Sequence, residues 1–142
     1  MVKVKSSAGG FVEISVLGIS EVMRRLQFMR EQLKDNMDVG TMRAGTYVGI
    51  ELQESIMGNR AEPRSVRTGL FGNSIVVEKV ADHVFVVKSN PTSYPENPNV
   101  TTEDVAGFLE DDRMHFHNTK ARTENEVQEI IKKEIKDGVQ KF

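Results

Sequence analysis

The sequence predicts an α+β fold: a small antiparallel sheet that includes a β-hairpin, packed by a long N-terminal helix with a kink and by a C-terminal amphipathic helix. Three observations predict it. Apolar and polar residues alternate in FVEISVLG (11–18), and two further β-rich runs flank Ala81-Asp82-His83. Apolar residues recur at spacings of three and four from Ile19 to Ile56. A second helical stripe, Val127, Ile130, Ile131 and Ile135, lies near the C-terminus.

Residues 1–10, MVKVKSSAGG, are small, polar and glycine-ended, and read as a flexible arm, although Val2 and Val4 alternate with Lys3 and Lys5. Residues 11–142 read as one domain. In the first strand Val12, Ile14 and Val16 share a side, and Gly18 closes it. Ser20 stands where a helix N-cap belongs. Ile19, Val22, Met23, Leu26, Met29, Leu33 and Met37 begin the apolar face, which continues through Gly40, Ala44, Tyr47, Val48, Leu52 and Ile56. Asn36, Asp38 and Gly40 are poor helix formers, each costing up to ~1 kcal/mol relative to alanine. A kink or short break is therefore expected there, with a second helix to about Met57. Gly45 and Gly49, one turn apart, would admit a close-packed neighbour.

GNRAEPRS (58–65) is a loop by composition. Leu70–Val80 and His83–Ser89 read as two strands of a hairpin, with Ser74 on the solvent side of the first. NPTSYPENPNVTT (90–102), with its prolines at 91, 95 and 98, reads as a long irregular loop. Thr101 or Thr102 is placed to cap a short helix through Leu109. EDDRMHFHNTKA (110–121) is charged and ambiguous. Thr123 and Glu126 form a capping-box pattern that opens the last helix. Gly138 is expected to stop it, with Lys132, Lys133 and Lys136 near the negative end of its dipole.

At 142 residues the chain is long enough for a core without metal or disulfide. It has no cysteine, which excludes thiolate zinc sites and a cysteine nucleophile. Nineteen basic against 21 acidic residues leave a net charge of −2, so no global field draws it to nucleic acid or to an anionic membrane. No apolar run approaches the ~20 residues that span a bilayer. The first residues lack the apolar core of a signal peptide, and a cytosolic site of assembly is expected.

Four constellations are candidates for chemistry. The Arg67-Thr68-Gly69 corner has too few glycines, and no following helix, for a phosphate loop. Glu110, Asp111 and Asp112 precede His115 and His117, which would share one face of a strand and offer oxygen and imidazole ligands to a metal. Serine chemistry needs a base held by a third group, and His83, His115 and His117 are the only histidines. Met23, Met29, Met37 and Met42 fall on or near the helical stripe, as core or as a self-associating surface. No catalytic set, cofactor or metal is assigned on these grounds.

The order of segments resembles the tail-completion, or head–tail joining, proteins of long-tailed bacteriophages. The resemblance rests on Pro63 followed by Thr68-Gly69-Leu70 and Ser74-Ile75, and on Val105-Ala106-Gly107-Phe108-Leu109-Glu110-Asp111. The family reads proline, then Thr-Gly-x-Leu-x-x-Ser-Ile, and later Tyr-Ala-x-x-aliphatic-Glu-x-Gly. Here the proline stands five residues before Thr68, Val105 replaces the tyrosine, and Asp112 replaces the closing glycine. The resemblance implies a non-enzymatic virion protein in the tail or neck, assembled in the host cytoplasm. It implies a ring, usually of six copies, that caps the tail tube and contacts the tail-tube protein and a neck or head-completion protein. It implies no cofactor, membrane or sequence-specific nucleic acid. Across the joint between copies, Arg60, Arg64 and Arg67 would face Glu110, Asp111 and Asp112. The alternative is a small cytosolic protein that binds nucleic acid through the 60–67 loop or a metal through the 110–117 cluster.

Overall fold

Valine alternates with lysine in Val2–Ser7, and this segment is a strand, β1, in the computed structural model, which describes residues 2–7, 10–16, 30–65 and 69–140. Of the arm expected over 1–10, residues 2–7 are therefore a strand. β1 pairs antiparallel with β2 (Phe11–Val16) from Val2↔Val16 to Ser7↔Phe11. Val4 turns to the core while Lys3 and Lys5 stay exposed, as the two-residue period of a strand requires. The alternation outweighs the small polar residues around it because it buries a valine.

The first long helix, α1 (Arg30–Ile56), runs through residues 36–40 without the expected break. Two of the poor helix formers, Asn36 and Gly40, make a seam with the C-terminal helix, while Asp38 binds Lys79 and His83 of the hairpin. Asn36 donates to the Glu134 carbonyl at 3.2 Å. At Gly40 a Cβ would lie 2.9 Å from Glu134 Cβ, so only glycine lets the two helices approach this closely. Met37, Ala44, Val48, Leu52 and Ile56 are fully buried, as the stripe predicts. Gly18, Ser20 and the first part of that stripe, with Met23 and Met29, lie outside the described residues.

Leu70–Asn73 is a short helical turn, α2, not the start of a strand. β3 (Ile75–Ala81) and β4 (Val84–Ser89) form the predicted hairpin around Asp82 and His83. The sheet order is β1-β2-β4-β3, antiparallel throughout. The expected loop at 90–102 contains a second, two-stranded sheet of β5 (Ser93–Tyr94) and β6 (Asn97–Thr101). Thr102 staples its base. Its hydroxyl donates to the Asn90 carbonyl and accepts from the Thr92 amide, and its own amide donates to the Thr92 carbonyl.

Thr101 caps α3 (Thr102–Arg113) with the Asp104 carboxylate reciprocating, a complete capping box. The last helix, α4 (His115–Gln140), begins eight residues before the capping pattern read at Thr123. Thr123 is buried inside it, and its hydroxyl bonds back to the Thr119 carbonyl. Gly138 does not stop α4: a Cβ there would lie 2.9 Å from Asn36 Cγ, so glycine serves the same seam with α1. None of the three C-terminal lysines falls in the helix's last turn.

One core joins these pieces. Val12, Ile14 and Val87 from the sheet meet Val48, Leu52 and Ile56 from α1 and Phe116, Val127 and Ile131 from α4. Each such side chain contributes roughly 1.5–3 kcal/mol on burial. Gly45 and Gly49 face the Val77 side chain, so α1 lies close on the hairpin. Among the described residues no helix is long and apolar enough to cross a membrane.

Candidate functional site

The corner that anchors the resemblance is built by one backbone angle. Gly69 has φ 84°, the left-handed region that glycine enters without a Cβ penalty. The chain then closes a turn, with the Asn73 amide donating to the Gly69 carbonyl at 2.9 Å. Leu70 is half-buried and Phe71 buried. Ser74 does not face solvent as expected. It is buried, donates to the Phe71 carbonyl at 2.6 Å and meets the Ser89 hydroxyl at 2.7 Å. Ile75 then packs against the core. Arg67 and Thr68 lie outside the described residues.

The second stretch lies beside the first. Val105 and Phe71 line one cleft of about 300 Å³, together with Ser65, Tyr94, Asn97 and Val100. Five residues on from Val105, Glu110 turns inward. Its two carboxylate oxygens accept the backbone amides of Phe116 at 2.9 Å and His117 at 2.8 Å, in the first turn of α4. Burial pushes its carboxyl above the usual range, against the two amides that favour the charged form. Asp111 and Asp112 are exposed on α3.

The basic group is partly spent. Arg60 makes a two-pronged ion pair with Glu51, at 2.8 and 3.0 Å. Arg64 is exposed, and its carbonyl accepts from Arg113 at 2.6 Å. Of the acidic trio expected to face this group across a joint, Glu110 is committed inside its own chain.

The densest polar cluster was not visible in the sequence. Glu62 is buried and accepts two bonds from Arg122, at 2.8 and 2.6 Å, one from Ser55 at 2.6 Å and one from Asn118 at 3.2 Å. The Arg122 bonds hold its carboxyl far down, at about 2, with Ser55 and Asn118 adding to them against the cost of burial. Because Glu62 only accepts, the one Ser55 proton goes to it. Ser55 Oγ then accepts from His115 Nδ1 at 2.8 Å, which leaves Nε2 to accept from Ser65 Oγ at 2.6 Å. Arg113 donates to the same Ser65 hydroxyl at 2.8 Å.

This order of groups, serine to histidine to an orienting partner, has the outline of a nucleophile and its base. Its setting is structural. His115 is 1% exposed, and burial, helped by Arg113 and Arg122, lowers its pKa to about 4 although Glu62 opposes the shift. Both ring nitrogens are spent on hydroxyls. The imidazole braces α1, the 57–65 loop and α4 against one another. Residues this far apart in sequence carry no local signal of the cluster.

The expectation that His115 and His117 share a strand face is corrected. Both lie on α4, where a two-residue step is about 200° around the axis. His115 therefore enters the core while His117 is exposed. His83 sits apart, buried at φ 60° beside Asp38 at 3.1 Å. Among the described residues no three His, Cys, Asp or Glu side chains are grouped to hold a metal ion. Comparison with protein-family models, curated proteins and solved structures yields no match to this chain.

Proposed function

We propose that this protein is a structural component of a long-tailed phage-type virion, which closes the end of the tail tube and joins it to the neck as a ring of identical copies. The observation that supports this most is the convergence of the two stretches that carry the resemblance. Phe71, beside Gly69 and Leu70, and Val105, at the start of the second stretch, line one cleft though they are far apart in sequence. Within those stretches Gly69 makes the corner, Ser74 locks it to β4, and Glu110 caps α4. These motif residues carry backbone geometry, which a building block must hold constant.

The surface accords with this reading. On α1 Val39, Met42 and Ile50, and just after it Met57, are about half exposed, and on α3 Phe108 is 70% exposed. Large apolar side chains left open suit a subunit that meets neighbours. The test is assembly. Mixed with tail-tube subunits, the chain should give tubes of fixed length with one capped end in negative stain. Tubes that grow on unchanged in its presence would refute the role. Retention on DNA that falls steeply with salt would point instead to nucleic-acid binding.

A further inference from the structure

We propose that copies of this chain join edge to edge through their sheets, β3 of one copy pairing antiparallel with β1 of the next. The inference deepens the ring reading above and names the surface that would close it. Four observations carry it.

The first is topology. The four strands alternate in direction, and β1 and β3 are the two edges. With an even number of strands the two edges run opposite ways. A copy related by simple rotation therefore brings its β1 against β3 with the antiparallel alternation intact. The sheet can continue through every copy without a parallel pair or a reversed subunit, which is the requirement of a closed heterologous assembly.

The second is availability. Among the described residues β1 pairs only with β2, and β3 only with β4. Each leaves one row of backbone donors and acceptors without a strand partner, a template for another strand. The two edges match in length, with six residues in β1 and seven in β3.

The third is the pattern of faces. On β1, Val4 points to the core and Lys3 and Lys5 to solvent. On β3, Val77 packs on the core and Glu78 is exposed. Setting Val4 opposite Val77 places Lys3 opposite Glu78 and continues the apolar row on one face; on the other, Lys3 adds a second cation to the carboxylate that Lys88 already holds at 2.8 Å. Lys3 is exposed and has no ion-pair partner among the described residues.

The fourth is what the charges disfavour. Two β1 edges paired in the register that keeps their faces aligned would set Lys3 against Lys5. Like charges directly across from each other are destabilising. Two β3 edges meet that penalty only when centred on Glu78; centred on Val77 they set Glu78 against Val76. The charges therefore guard β1 against itself, and the same lysines admit β3.

The absence of native cysteine makes the test direct. The double variant Lys3→Cys with Glu78→Cys, oxidised with copper–phenanthroline at millimolar protein, should give a ladder of cross-linked multimers on non-reducing gels. Either single variant should give no more than dimer. Retained sheet content by circular dichroism establishes that the variant folds. A folded double variant that stays monomeric on the gel, or gives dimer alone, overturns the proposal. Tube capping by the unmodified chain is scored separately. Capped tubes without a ladder would sink the edge pairing and leave the joining role, and a ladder without capping would do the reverse.

Discussion

Both terminal nitrogens of Arg122 grip the carboxylate of Glu62, at 2.8 and 2.6 Å, across 60 residues of sequence. The pair ties the loop after α1 to the middle of α4, and Glu62 is almost wholly inside. Removing one partner leaves a buried charge without its counterpart. Arg122→Ala should therefore cost about 3 kcal/mol in urea unfolding. Glu62→Gln, which keeps an acceptor and removes the charge, should cost less than half of that.

Acid should weaken the protein in two steps. His115 has a folded pKa of about 4 against an ordinary 6.5, so the unfolded chain binds the proton first, and stability falls as pH drops from 6.5 toward 4. Glu62, at about 2 against 4.5, holds its contribution above pH 4.5 and loses it as pH falls toward 2. Each contributes on the order of 3 kcal/mol across its window. A stability profile from pH 8 downward, by chemical denaturation, measures both. In His115→Asn the upper slope should vanish and the lower one remain.

Two glycine-to-alanine changes should act in opposite directions. A Cβ at Gly45 would stand 2.7 Å from Val77 Cγ1, and the branched valine cannot swing aside. Overpacking of about 1–3 kcal/mol should exceed the ~1 kcal/mol gain in helix propensity, so Gly45→Ala lowers the melting temperature. At Gly107 nothing lies within 4 Å of an added Cβ. Gly107→Ala should stabilise α3 by about 0.5–1 kcal/mol. Thermal scans of the two variants side by side check both signs.

Glu110→Ala removes the acceptor for two amides at the start of α4 and should cost about 1–2 kcal/mol. Glu110→Gln retains one acceptor and sheds a desolvated charge, so its loss should be the smaller. Hydrogen exchange localises the effect: the Phe116 and His117 amides should lose protection well before those of Val127 and Ile131.

The α+β class, the hairpin and the buried face of α1 were legible because each has a period that only one kind of element satisfies. The failures have a common cause. Asn36, Gly40 and Gly138 look like breakers one at a time, and become intelligible only when α1 and α4 lie side by side. Tertiary packing there overrides a propensity penalty of about 1 kcal/mol. Thr123 and Glu126 have the spacing of a cap, yet Glu110, from the preceding helix, supplies the one that α4 uses. Val2 and Val4 gave a true signal for β1 that was masked by the polar residues after them. At the candidate site the turn at Gly69 was readable from local chemistry, while the strand read from Leu70 begins only at Ile75, after a helical turn. The Ser55, Glu62, His115 and Ser65 cluster was not, since its members meet only once three segments have docked.

Met114 alone separates α3 from α4, held in the left-handed region at φ 54°. A hinge one residue long has no slack. Swinging α3 outward would drag Glu110 off the Phe116 and His117 amides and unwind the start of the neighbouring helix. The wall of the cleft that carries Val105 is thus geared to the first turn of α4, and anything that pries the cleft apart is felt at the His115 brace one residue beyond the hinge.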